Sequence, residues 1–269
     1  MATQIRYICI ELLLNLMTKE KLKYYSSLLT KKYREQEKKF LVEGIKLISE
    51  AIGSGYSCEI LLLTNQFADE EKIFLRDIKK KSIESEIIIQ HELEKLCDTK
   101  TPQGIAGVFN YKNSPGIPDT GNSNPVIASL ENISDPGNMG AILRNCDWFG
   151  INTVIISQGC SEILNPKVIR ASAGSVFHLN IYESHNFYEE LQQLKNNNYE
   201  IITADLNGSN LYSYKKKKKV VIVLSNEATG PSKQILDLTD QIITIPKKGK
   251  AESLNVGSAS AVLLAELTK

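Results

Sequence analysis

Between residue 125 and the end of the chain, six short apolar runs recur, rich in valine and isoleucine: "VIASL", "TVIIS", "FHLNIY", "EIITADL", "VVIVLS" and "QIITIP". Runs of this length with no sustained polar alternation are strands covered on both faces. Segments of helical periodicity fall between and after them, at about 139–149, 165–173, 186–197 and 253–267. Strands separated by helices pair in parallel, because each helix is the crossover that returns the chain to the same end of the sheet. The pattern therefore predicts an α/β fold: a mostly parallel sheet with helices on both faces. Such sheets carry ligands in the loops beyond the carboxyl ends of their strands, so those loops are where chemistry is expected.

Residues 17–110 show a similar alternation on a smaller scale. "KKFLVEGIKLISEAIGSG" sets Leu41, Ile45, Ile48 and Ile52 at helical spacing, with Gly53 and Gly55 as stop signals. "CEILLLT" and "SEIIIQ" predict buried strands, with the helix "DEEKIFLRDIKKK" between them. A small α/β domain is expected here. The segment 111–124, "YKNSPGIPDTGNSN", is rich in Pro, Gly, Asn and Ser and reads as a linker. The second domain then covers 125–269. Residues 1–16 form an extension. Its apolar stretch "IRYICIELLLNLM" is interrupted by Glu11, is too short to span a bilayer and lacks a small-residue cleavage site after it. "MTKEKLKYYSSLL" reads as a natural polar start, so Met17 is an expected alternative to Met1.

Charge and cysteine usage narrow the class. The 269 residues carry a net charge of only +1, so any nucleic-acid contact must use local patches. The candidates are "KKYREQEKK" (31–39) and the lysines of 215–219. Either could equally be a solvated charge run. Cys9, Cys58, Cys97, Cys146 and Cys160 are odd in number and widely spaced, and His91, His178 and His185 sit at no metal-ligand spacing. Neither a disulfide framework nor a metal is expected, and a reducing cytoplasm is. "GSGYSC" lacks the third glycine of a dinucleotide fingerprint. No phosphate-binding G-x-x-x-x-G-K-[ST], H-E-x-x-H or G-x-S-x-G occurs either.

Three polar loops follow three of the predicted strands. In "SLENISDPGNMGAILRNCDWFG" (129–150), Asp135-Pro136-Gly137-Asn138 has the chemistry of a turn, with Asn138 as the N-cap of the next helix and Gly150 as its terminator. Met139, Ile142, Cys146 and Phe149 make the apolar face, and Arg144 lies opposite it near Trp148. "VLSNEATGPS" (223–232) offers backbone groups around Asn226, Glu227 and Gly230. "IPKKGKAESLNVGSASAVLLAEL" (245–267) leads from a strand into an amphipathic helix that Ser253 or Asn255 can cap. Singly, each is compatible with an ordinary capped turn and a solvated charge.

Taken together and in this order, the three loops resemble the SpoU (TrmH-type) branch of the SPOUT RNA methyltransferases. The family pattern N-x-x-D-P-x-N-x-G-x-x-x-R is matched by Asn132, Asp135, Pro136, Asn138, Gly140 and Arg144. Its G-x-E-x-x-G loop is matched by Glu227 and Gly230, with Ser225 in place of the first glycine. Its I-P-M-x-G and S-L-N-V-S are matched by Ile245, Pro246, Gly249, Ser253, Leu254, Asn255 and Val256, and departed from at Lys247 and Gly257. "RASAGSVFHL" (170–179) is also similar to the family. "FLVEG" and "TPQGIAGV" resemble the small N-terminal domain of its ribosomal-RNA members.

The resemblance implies S-adenosylmethionine as cofactor, a ribose 2′-hydroxyl in RNA as acceptor, a homodimer and a deep trefoil knot near the C-terminus. It places Arg144, Asn138, Glu227 and Asn255 on the catalytic side, and Ser225, Gly230, Ile245, Ser253 and Leu254 around the cofactor. A guanidinium stays protonated, so Arg144 is expected to act by charge rather than as a base. Glu227 is expected to support the loops. The N-terminal domain favours large-subunit ribosomal RNA. A transfer-RNA 2′-O-methyltransferase and a noncatalytic RNA-binding protein on the same scaffold are the alternatives.

Overall fold

The computed structural model describes residues 17–112 and 126–269, in two compact units that divide after Lys112. The expected extension at 1–16 and segment 113–124 of the expected linker lie outside the described residues.

The first unit runs α1 (Lys19–Ser27), α2 (Lys31–Glu37), β1 (Lys39–Glu43), α3 (Ile45–Gly53), β2 (Cys58–Leu63), α4 (Asn65–Glu70), α5 (Lys72–Lys80), β3 (Glu84–Ile87), α6 (Gln90–Leu96) and β4 (Ile105–Asn110). The sheet order is β1-β4-β2-β3, with β4 antiparallel to both neighbours and β2 parallel to β3. One face, from Leu41, Ile60, Leu62, Ala106 and Val108, packs with Tyr25, Leu28, Leu93 and Leu96. On the other, the rings of Phe40 and Phe109 stack at 5.8 Å.

Two helix expectations are corrected here. Leu41 belongs to β1, paired with Val108 of β4, and α3 begins only at Ile45, beyond Gly44. A spacing of four puts two residues on one face of a strand as well as of a helix, so Leu41 and Ile45 met the helical pattern by coincidence. The helix expected over 69–81 is broken at Glu71 into α4 and α5. Thr64 caps α4 by accepting the Phe67 N–H at 3.2 Å.

The second unit runs β5 (Val126–Glu131), α7 (Pro136–Trp148), β6 (Thr153–Ile156), α8 (Pro166–Ala171), β7 (Asn180–Glu183), α9 (Phe187–Asn196), β8 (Glu200–Asn210), β9 (Val220–Ser225), α10 (Lys233–Leu238), β10 (Gln241–Thr244) and α11 (Val256–Leu267). The strands pair in the order β10-β8-β9-β5-β6-β7, every pair parallel. α9 and α10 bury Ile127, Ile201, Val221 and Val223 on one face. Ile222 and Leu224 alternate to the other face, where α11 packs on β9 and on α7. The strand expected as "FHLNIY" is shorter: Ser175–Phe177 form a 3₁₀ turn, and pairing with β6 starts at Asn180.

The topology fixes where a ligand can sit. From β5 the chain winds outward through β6 and β7, then returns to the opposite side of β5 to build β8, β9 and β10. The winding therefore reverses between β5 and β9, and a cleft lies on the β9 side of that reversal, over β8, β9 and β10. Beside it β8 leaves its register. Thr203 pairs with Ile242, but Ser209 pairs with Ile243, so residues 204–208 swing out of the ladder.

Candidate functional site

A cleft of about 390 Å³ opens at the carboxyl ends of β8, β9 and β10. Its apolar lining comes from Leu224, Ile243, Val256, Ala259 and Leu263. The polar lining comes from Asp205, in the part of β8 that has left the ladder, and from two loops, Ser225 to Pro231 at the end of β9 and Thr244 to Leu254 at the end of β10. Ser225, Glu227, Gly230, Ile245, Ser253 and Leu254 all line it, so six of the sequence-predicted site residues meet in one place. The Ala204–Leu206 wall was not anticipated. The available signal was Asp205, a charge that interrupts the apolar run "EIITADL" just ahead of "NG".

Arg144, Asn138 and Asn255 do not line the cleft. Asn138 and Asn255 are nevertheless joined to it through Glu227. Glu227 Oε1 accepts from Asn138 Nδ2 at 3.0 Å, from Asn255 Nδ2 at 2.9 Å and from the backbone N–H of Val256 at 2.6 Å. Asn255 Nδ2 also donates to Asn138 Oδ1 at 2.7 Å. The three loops predicted from sequence are thus fastened to one carboxylate oxygen. Asn255 has no freedom to turn its amide. As N-cap of α11, its Oδ1 accepts from Gly257 N and Ser258 N, which sends Nδ2 toward Glu227. Of the two caps open for this helix, Asn255 serves and Ser253 stays exposed. The carboxylate also sits where the α11 N-terminus favours negative charge.

The first loop is built differently from expectation. Asp135, not Asn138, caps α7, accepting the Asn138 N–H at 2.8 Å, and Pro136 is the first helical residue. Proline suits that position because its missing N–H is not needed there. The same Pro-Gly pair had read as a turn. With Asp135 as cap, the Asn138 side chain is released for Glu227. Asn132 takes φ +55°, a left-handed conformation that asparagine tolerates, and its carbonyl accepts from Asn226 Nδ2 at 3.1 Å. Ser225 does not take positive φ, so serine fits where the family pattern has glycine. Gly230 does, at +65°.

Arg144 is exposed on α7, one turn before Trp148, and its guanidinium has no partner among the described residues. The next residue, Asn145, ties α7 to α11 by donating to Gly257 O at 2.9 Å and Ser260 Oγ at 2.8 Å. Cys146 is fully buried, and burial pushes its thiol up to about 12, which leaves it a packing residue.

Two further features escaped the sequence reading, a buried carboxylate and a set of rim lysines. Glu131, at the end of β5, is buried and accepts from Tyr188 OH, Ser225 Oγ and Ser232 N. In sequence it looks like any charged residue entering a loop. Lys247 and Lys248 line the rim of the cleft with Lys250 close by in sequence, and none of the three has a partner among the described residues. The two predicted basic patches are more occupied. Lys216 donates to Leu267 O, Lys217 pairs with Glu200, and Lys219 lies 5.2 Å from the Tyr199 ring centre. In 31–39, Arg34 is buried and donates to Leu28 O, Lys31 pairs with Glu35, and Lys39 pairs with Glu59.

Among the described residues, no helix is long and apolar enough to cross a membrane.

Residues 125–265 match the SpoU rRNA methylase family, and residues 19–107 match the MRM3-like substrate binding domain. The chain is 30% identical over 250 residues to the 23S rRNA (guanosine(2553)-2′-O)-methyltransferase RlmP of Bacillus subtilis, spanning 92% of this chain and 96% of that one. A TrmH-family structure from Porphyromonas gingivalis superimposes with a TM-score of 0.81 at 29% identity, covering 94% of this chain and 98% of that one. The SpoU methyltransferase AviRb from Streptomyces viridochromogenes, solved with the cofactor AdoMet, shares the fold with a TM-score of 0.82 at 22% identity, covering 93% and 97% of the two chains.

Proposed function

The chain belongs to the SpoU rRNA methylase family, and from that premise we propose that it methylates a ribose 2′-hydroxyl of large-subunit ribosomal RNA with S-adenosylmethionine. The observation that carries this reading is the Glu227 junction. One oxygen gathers Asn138, Asn255 and Val256, so the loop before α7 and the loops after β9 and β10 form one constellation beside the cleft.

The cleft suits this cofactor on its own chemistry. Its volume is that of a small-molecule site, its floor is aliphatic as an adenine requires, and Asp205, Glu227 and Glu252 put carboxylates around a ligand bearing a sulfonium and an ammonium. Ser225, Ile245 and Leu254 would hold it through their backbone groups, with Ser253 and Gly230 shaping the walls. When bound, it supplies an already activated methyl group, so the protein's task is chiefly placement.

Arg144 brings a positive charge with no partner among the described residues. It is suited to clamp an RNA phosphate or to stabilise negative charge growing on the 2′-oxygen. Asn138 and Asn255 hold the acceptor and cofactor loops in mutual register through Glu227. The lysines at 247, 248 and 250, without partners among the described residues, add positive charge at the rim, where an RNA backbone would pass. The first unit would supply the remaining RNA contacts. A homodimer, a deep knot in the second unit and a cytoplasmic location among ribosomes complete the proposal, each on the strength of family membership.

Two measurements test it together. The purified protein should bind S-adenosylhomocysteine by calorimetry. It should also transfer a labelled methyl group to large-subunit ribosomal RNA from cells lacking the gene, the guanosine modified by the Bacillus relative being the first position to examine. Methylation of transfer RNA in preference would overturn the choice of substrate. Binding without transfer to any RNA would support the noncatalytic alternative.

A further inference from the structure

We propose that Glu131 is a positioning residue that clamps both ends of the cofactor loop, and that Ser225 is the partner through which it does so; this rests on the cleft being the S-adenosylmethionine site. Glu131 is the last residue of β5 and is 1% exposed. A carboxylate so deeply buried is costly unless several donors satisfy it. Here three do. Tyr188 OH donates to Oε1 at 2.9 Å, while Ser225 Oγ at 2.9 Å and the Ser232 N–H at 3.1 Å both donate to Oε2.

The positions of those donors give the network its meaning. Ser225 is where β9 ends and Ser232 is the N-cap of α10, so a single oxygen fastens the first and last residues of the loop 225–232. Glu227 and Gly230 lie between these points. The loop is tightened internally as well, with Gly230 N donating to Asn226 O at 2.8 Å and Ala228 N to Asn226 Oδ1 at 2.9 Å.

Register explains how a serine can stand at the cleft edge without filling it. Glu131 and Ser225 are direct partners in the β5–β9 ladder, so their side chains share a face. That is the face of Val221 and Val223, covered by α9 and α10. Leu224, one residue earlier, points the other way and lines the cleft. The Ser225 side chain is thus drawn away from the ligand space, leaving its backbone there. The family pattern has glycine at this position. The serine here adds a fastening that glycine cannot make, and a pre-set loop binds its ligand with less ordering cost.

The test is the dissociation constant for S-adenosylhomocysteine, measured by calorimetry on the full chain, with the melting temperature as the measure of folding. Glu131→Gln can keep an amide oxygen toward Ser225 and Ser232 with its NH₂ toward Tyr188, but a neutral amide oxygen accepts more weakly than a carboxylate, so binding should weaken by about threefold to tenfold. Ser225→Ala removes one donor and should weaken it by about threefold to tenfold, while Ser225→Thr, which keeps the hydroxyl, should stay within about twofold of the parent. The double variant should fall short of the product of the two single effects, because both changes act on one contact. Tyr188→Phe removes the donor to Oε1, whose hydroxyl also reaches the Ser232 side chain at the far end of the loop; it should lower the melting temperature and weaken binding by less than Ser225→Ala does.

Folded Glu131→Gln and Ser225→Ala proteins that melt earlier yet bind with the parent's affinity would overturn the inference and leave the cofactor site standing. If Glu131→Gln does not fold, Ser225→Ala against Ser225→Thr decides alone. A parent protein that binds no S-adenosylhomocysteine would overturn the cofactor reading itself, and this inference with it.

Discussion

Glu227 Oε1 accepts the backbone N–H of Val256 at 2.6 Å, joining the loop after β9 to the first residue of α11 across 29 positions of sequence. The same oxygen holds Asn138 and Asn255. Truncation to Glu227→Ala would leave three donors without their acceptor at a helix start. Because the site is solvent-accessible, water can replace part of the loss, and the expected cost is about 1–2 kcal/mol in chemical denaturation. Methyl transfer should fall much further than stability does, because the cofactor and acceptor loops would lose their common anchor. A variant with reduced stability and full turnover would remove Glu227 from the site.

Arg144 makes the opposite prediction. Its guanidinium is exposed and unpartnered among the described residues, so Arg144→Lys should change stability by less than about 0.5 kcal/mol. Lysine keeps the charge but loses the planar fork. If Arg144 stabilises charge at the reacting oxygen, kcat/KM should drop by about 10²-fold or more. Steady-state kinetics beside a thermal melt checks both halves.

Gly257 lets α11 approach α7. A Cβ there would lie 2.9 Å from the Ala141 Cβ, inside ordinary contact distance, and 3.1 Å from Asn255 Oδ1. Restoring the family serine, Gly257→Ser, should therefore destabilise the protein by about 1–3 kcal/mol, an overpacking cost. Ala141→Gly in the same chain should recover part of that loss by opening the space. Equal stability of parent and Gly257→Ser would contradict the packing argument.

Asp240 fastens β10 to β8. Its Oδ2 accepts the Ile201 N–H at 2.9 Å, and Oδ1 lies 2.9 Å from Lys195 Nζ. Partial burial by itself would raise its pKa, but the Lys195 ammonium, the Ile201 N–H and Lys217 outweigh that and hold it below the usual carboxylate range. A depressed folded-state pKa means stability that is fully present above the unfolded value of about 3.9 and is lost as pH falls through the lower folded value. The stability gap between the parent and Asp240→Asn should therefore be constant near neutrality and shrink below about pH 4. A gap that persists unchanged into that acid range would contradict it.

The second unit was the more legible half, for a physical reason. A parallel sheet buries its strands on both faces, so β5 and β9 stand out as unbroken apolar runs, and polar loops mark their carboxyl ends. In the first unit β1 is only five residues long and runs through Gly44 into α3, so a shared spacing of four hid the boundary. At the site, the residue types were legible but their connections were not. Asp135 and Asn138 are both good caps, and only the position of Pro136 as first helical residue decides between them. Glu131 is a carboxylate whose burial depends on Tyr188, Ser225 and Ser232, distant in sequence. Within 215–219, Lys216, Lys217 and Lys219 are engaged by Leu267, Glu200 and Tyr199 through tertiary contacts that no local pattern announces.

The central claim is methyl transfer to a ribose oxygen, and nucleoside analysis of the product tests it most directly. Large-subunit ribosomal RNA treated with the protein and methyl-labelled S-adenosylmethionine would be digested completely to nucleosides and resolved by mass spectrometry. The account predicts one labelled nucleoside whose extra methyl remains with the sugar fragment and blocks alkaline cleavage at its 3′ side. Label that leaves with the base, or no label from a protein that binds S-adenosylhomocysteine, would contradict it.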